Sequence, residues 1–259
     1  MRKLVIFLMV GFVVFSVRAA NAQVISFTDT RNYWPNWGNT DHDYPWPGID
    51  NDLDTIGVPD FTNGQAVVNN GWLSSLTFNR GSGFSSVLSP GDLFIDLGAN
   101  EGWDYVVDLT SWSESGPGNS DPYPYASNYD LYSIDLALGN PSNSSGYILS
   151  GYDLTSPWGN YYIRDNHPVA ANLANISKTK IGSASFSGWN GSTSYTYTFL
   201  NGGLDLGNSG QFNIGWGVNC ANDVIYETLN YTPVPEPATL SLLGLGLLGL
   251  AGLKKRRNA

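Results

Sequence analysis

What most constrains the fold of this chain is a repeated alternation. Short runs in which apolar and polar side chains take turns are each closed by a cluster of Gly, Asn, Asp, Ser or Pro. A strand points successive side chains to opposite faces, so a run of this kind buries one face and wets the other. Segments 24–27, 65–68, 72–78, 92–97, 103–109, 131–138, 147–150, 161–163, 181–189, 194–200, 211–218 and 223–226 read this way. Between the second and third stands Asn69-Asn70-Gly71, residues that tolerate the positive φ a tight hairpin demands. No stretch between the runs keeps a 3.6-residue apolar period over a helix's length, and no internal repeat points to a propeller or β-helix. The expected fold is all-β, an antiparallel β-sandwich of jelly-roll, lectin-like type.

Two apolar stretches depart from this pattern. Near the start, Arg2 and Lys3 precede the run 4–17, and Ala20 and Ala22 are small residues where a signal peptidase reads, so cleavage is expected before Gln23. An uncleaved N-terminal anchor is the alternative, and it too exports the chain. At the far end, 238–253 is an apolar run without a charge, followed by Lys254, Lys255, Arg256 and Arg257. As a helix it is about 24 Å long, slightly short of a bilayer core of about 30 Å, and spans with local thinning and snorkelling of its basic flank. The four cations hold that flank in the cytoplasm, which leaves the body outside. Just before the run, Pro235 and Pro237 lack backbone N–H groups and fix φ, so Pro235-Glu236-Pro237 is an extended strip open to a protease. The chain divides into a signal peptide (1–22), a β domain (23–230) and a C-terminal segment (231–259) with its spanning helix at 238–253.

The Pro-Glu-Pro element, the Gly/Leu-rich span and the basic tail, in that order, resemble the PEP-CTERM sorting signal of Gram-negative bacteria that make extracellular polysaccharide. The resemblance covers the C-terminal segment alone. It implies transient anchoring in the inner membrane, recognition by a membrane-embedded exosortase, a cut near Pro235, Glu236 and Pro237, and delivery to the cell surface or beyond. Signal peptidase and the export machinery are the other implied partners. Blocks 91–96, 164–170 and 220–225 also look like recurrent segments of exosortase-dependent surface proteins, most of them without an assigned activity. That second likeness implies a surface role.

Charge narrows the partners of the body. The net charge is −10. Most of the Lys and Arg residues lie in the two end segments, leaving Arg31, Arg80, Arg164, Lys178 and Lys180 among the carboxylates of the body. Such a field repels nucleic acid and favours cations. Cys220 is the only cysteine, so no disulfide forms within the chain.

One long segment, 28–47, sets Tyr33, Trp34, Trp37, Tyr44 and Trp46 among Asn, Asp, Gly and Pro. It reads either as a lid that caps a sandwich or as a glycan-binding loop, its flat rings stacking on sugars while amides and carboxylates bond the hydroxyls. Tyr33, Trp34, Trp37 and Trp46 are the ligand-binding candidates. Asp50, Asp52 and Asp54 follow in alternation and offer oxygen ligands to Ca²⁺. The EF-hand pattern fails there, because its sixth position would be Thr55 rather than Gly and its twelfth Phe61 rather than Glu; a solvated acidic loop is the alternative.

Catalysis has no motif behind it. Asp96, Asp104, Asp108 and Asp135 are carboxylates of the kind a glycosidase pairs, but nothing in the sequence singles out two of them. His42 and His167 lack a Gly-x-Ser-x-Gly partner, and zinc, nucleotide and dinucleotide fingerprints are missing. The reading is a non-catalytic surface or matrix protein that binds exopolysaccharide; a secreted glycoside hydrolase or lyase on a jelly roll is the alternative.

Overall fold

The computed structural model describes residues 22–29, 61–81, 90–98, 102–109, 128–137, 148–150, 168–188, 192–217 and 223–233, with Gly246 beyond them. Its strands, in chain order, are β1 (Ala22–Thr28), β2 (Phe61–Asn69), β3 (Trp72–Arg80), β4 (Leu93–Asp96), β5 (Gly102–Asp108), β6 (Tyr129–Ala137) and β7 (Ile148–Ser150). There follow β8 (Pro168–Ala171), β9 (Lys178–Ser187), β10 (Ser194–Phe199), β11 (Leu204–Asp205), β12 (Gln211–Gly217) and β13 (Val224–Asn230). All but β8 and β11 coincide with, or adjoin, segments that the alternation marks. The signal-peptide helix and the spanning helix 238–253 lie outside the described residues. No helix among the described residues is long and apolar enough to cross a membrane.

One sheet holds nearly everything. Its order is β1-β2-β3-β10-β9-β6-β5-β4-β12-β13, with β11 added to β3, and every neighbouring pair is antiparallel; β7 and β8 pair separately. The all-β, antiparallel expectation holds. In place of the two facing sheets of a jelly-roll sandwich, however, a single sheet curls until its edges β1 and β13 lie side by side, a nearly closed barrel. Closure removes edges that would otherwise offer free backbone groups to another chain. The two edges are joined by a side chain: the Gln23 carboxamide accepts from Thr232 N and donates to Thr232 O, both at 2.9 Å. Further along, a groove of about 380 Å³ remains between Ile25–Thr28 and Glu227–Asn230.

The interior is aromatic. Trp216 stacks on Phe78 at 4.6 Å and 12°, meets Phe61 edge-on at 4.7 Å, and donates its indole N–H to Tyr197 Oη at 2.6 Å. Leu73, Leu76, Ile95, Ile214 and Leu229 fill the space around these rings. A second apolar cluster lies on the opposite face of the sheet: Phe94, Trp103, Val106, Ile134 and Tyr226 are covered there by Ala171, the last residue of β8, and by Leu173 and Ile176 just after it. This cover explains β4. The alternation of Leu93 to Asp96 predicts one wet face, yet all four residues are buried.

Candidate functional site

Strand directions sort the connections between two ends of the barrel. Each strand runs antiparallel to its neighbour, so the chain leaves and re-enters one end between Thr28 and Phe61, Arg80 and Leu93, Asp108 and Tyr129, Ser187 and Ser194, and Gly217 and Val224. The sequence carried by these connections includes Tyr33, Trp34, Trp37 and Trp46, the acidic Asp50, Asp52 and Asp54, and Trp112 and Trp189. Those side chains lie outside the described residues, but the strands that root them are well defined. We refer to this as the loop end.

Two buried carboxylates hold its roots. Asp92 is fully buried, and its oxygens accept from Leu109 N at 3.0 Å and Ala171 N at 2.8 Å, so one side chain ties together the starts or ends of three segments. Asp223, also fully buried, accepts from Phe61 N and thereby fixes the return of the first long connection to the start of β13. Carboxylate bonds to backbone N–H groups are charge-assisted and strong where water is excluded. Backbone bonds complete the frame: Gly91 N to Gly217 O at 2.8 Å, Arg80 N to Thr193 O at 3.1 Å and Asp29 N to Thr62 O at 3.0 Å. Burial raises Tyr195, an effect moderated by the nearby Arg80 guanidinium; Tyr197 is pushed well above the phenol range by full burial, with Asp92 and Tyr129 adding to it. Both phenols stay neutral, as parts of a packed floor under the loops.

The opposite end carries tight turns and the chain's exit. Asn70 (φ 53) and Gly71 (φ 82) make the β2–β3 turn that Asn69-Asn70-Gly71 predicts. Tyr231 N donates to Gly210 O at 2.9 Å, and its hydroxyl reaches Leu206 O at 2.8 Å and Gly207 O at 2.9 Å. With Thr232 held by Gln23, the body is fastened as far as the residue before Pro233.

Of the carboxylates with glycosidase potential, the structure brings together Asp96 and Asp104, and it does so at this exit end. Asp96 accepts from Gly98 N at 2.8 Å and from Asn213 Nδ2 at 2.6 Å; Thr228 Oγ1 donates to Asn213 Oδ1 at 2.7 Å; Asp104 accepts from Leu97 N at 2.8 Å. Burial raises Asp104 from its ordinary value, and the charges of Asp96 and Asp135 add to the effect while the Leu97 bond opposes it. The result is a polar ladder across β5, β4, β12 and β13. Asp108 lies at the loop end of β5, and Asp135 projects from β6 to solvent.

No group of His, Cys, Asp or Glu suited to a metal ion occurs among the described residues. Asp50, Asp52 and Asp54 lie outside them, as do Ala20, Pro235, Glu236, Pro237 and the basic cluster Lys254, Lys255, Arg256 and Arg257. Sequence reading missed the anchoring roles of Asp92 and Asp223; the only signal of them was that both fall inside the recurrent blocks 91–96 and 220–225.

An all-β barrel-like body, fastened at one end to an apolar C-terminal segment with a basic tail, defines an exported protein with its own sorting address. The address is the PEP-CTERM protein-sorting motif, whose family model matches residues 233–257. The chain is thus an exosortase-sorted extracellular protein, directed through a membrane-anchored stage to the cell surface. No curated protein and no solved structure was found to match it.

Proposed function

We propose that this protein is a non-catalytic surface or matrix component that holds extracellular polysaccharide with the aromatic connections of its loop end. The supporting observation is polarity: the connections whose sequence carries Trp34, Trp37 and Trp46 are rooted at the end opposite Thr232 and Pro233, from which the sorting segment departs. A protein tethered by one end and binding by the other offers its ligand site to the exterior. Tryptophan faces suit sugar rings because they are broad, apolar and stiff. Ca²⁺ held by Asp50, Asp52 and Asp54 is a further element of this proposal, ordering the same connection.

A hydrolase using Asp96 and Asp104 fits less well. Their oxygens are engaged by Leu97 N, Gly98 N and Asn213, and they sit at the exit end. The test is binding of exported protein to a panel of extracellular polysaccharides. Wild type is expected to bind at least one, and the double change Trp34→Ala/Trp37→Ala to weaken it by about ten-fold or more at an unchanged melting temperature. No binding across the panel, or polysaccharide cleavage that vanishes in Asp104→Asn, overturns the reading.

A further inference from the structure

The described residues include three large apolar side chains that are well exposed: Val24 at 61 %, Ile181 at 48 % and Trp72 at 41 %. Two of them share one place. Val24 pairs with Val67 across β1 and β2, and Trp72 pairs with Asn69 at the tip of the β2–β3 hairpin, so Val24, Val67 and Trp72 lie on the outer face at the exit end. Two hydrogen bonds link the tip to the departing chain: Leu206 N donates to Gly71 O at 2.9 Å, and Leu206 O accepts from the Tyr231 hydroxyl at 2.8 Å.

Chain length then bounds how far this patch lies from the apolar run. The body is fastened up to Thr232, and the apolar run starts at Ala238. The five steps from Pro233 to Ala238 span at most about 17 Å when fully extended. A body held this near keeps its exit end within reach of the headgroup layer, where tryptophan is favoured because its ring is apolar and its N–H wet. Asp205, exposed and in register with Trp72, makes zwitterionic lipid the better match than anionic lipid.

We propose that, while the chain is still tethered, Trp72 and its neighbours Val24 and Val67 rest in the headgroup layer of a zwitterionic bilayer. This contact makes the hairpin tip a second foot beside the spanning segment. It sets the barrel upright, with the loop end away from the membrane and the Pro-Glu-Pro strip near the surface. The inference rests on residues 238–253 lodging in the bilayer, which can be tested separately.

The experiment uses the full chain in phosphatidylcholine vesicles whose acyl chains carry bromine close to the headgroup, with tryptophan emission as the readout. Quenching of wild type is expected to fall about two-fold in Trp72→Phe, because Trp72 is the indole placed at the interface, and to rise in Val24→Trp, which adds one there. Flotation of the same samples tests the tether. A chain that fails to float overturns both the tether and the contact. Flotation with quenching unmoved by either substitution overturns the contact alone, as does Trp72 buried against a second copy, detected as a tethered dimer.

Discussion

At the scale of single residues, Asp104 is the most informative titrating group. Burial raises it, with the neighbouring charges of Asp96 and Asp135 adding to the effect. A carboxyl raised in the folded state keeps its proton to higher pH than it does in the unfolded chain. As pH climbs above the ordinary value of 3.8, the unfolded state therefore deprotonates first and stability falls. Asp104→Asn removes this cost while retaining an acceptor for Leu97 N. Its urea midpoint is expected to exceed that of wild type at about pH 7 and to converge with it at about pH 3; a gain of equal size at both values sinks the assignment. Sequence could name Asp104 and Asp96 among many carboxylates but could not pair them. Their proximity depends on β4 lying between β5 and β12, and on the irregularity between Trp103 and Tyr105 that resets the facing of β5. Asp92 and Asp223 were hidden for a related reason: a buried carboxylate that binds backbone N–H groups has no local pattern.

At the scale of elements, strands were legible and their assembly was not. Alternation and turn residues place β1 to β6, β9, β10, β12 and β13, and Asn70 and Gly71 make the predicted turn. Three facts of assembly have no local signature: β10 inserts between β3 and β9, the segment after β8 buries the second face of β4, and one sheet curls where two were expected. The joining of β1 to β2 illustrates the tolerance involved. Phe27 stands opposite Gly64 and lays its ring over the space a side chain would fill. A Cβ at Gly64 would lie 2.2 Å from Phe27 Cζ and 2.3 Å from Thr77 O, and the second of these is backbone of β3 that cannot swing aside. Gly64→Ala is expected to cost about 3 kcal/mol, seen as a lower denaturant midpoint. A loss within about 0.5 kcal/mol, the size of an ordinary surface change, would show that the ring and strand move freely.

At the scale of the whole molecule, closure depends on a join between residues far apart in sequence. Gln23 and Thr232 are 209 positions apart, and their paired bonds join β1 to the segment that follows β13. Gln23→Ala leaves Thr232 N and O to water and frees β1. Amide hydrogen exchange in β1 is expected to quicken by about ten-fold, matching roughly 1.4 kcal/mol, with β4 and β5 unaffected; uniform change across the sheet would show that the join stabilises the barrel globally instead. The polarity of the barrel was not legible either, because it follows from strand directions that only the pairing reveals. The join also sets a timetable. A chain exported N-terminus first delivers β1 at the outset and Thr232 almost last, so the barrel cannot shut until nearly the whole body has crossed. Contacts of such long sequence separation form slowly. If the apolar run halts transport at the membrane, as the contact proposed above requires, the few residues between it and Thr232 would let the barrel shut at almost that moment, and the pause would coincide with the last step of folding.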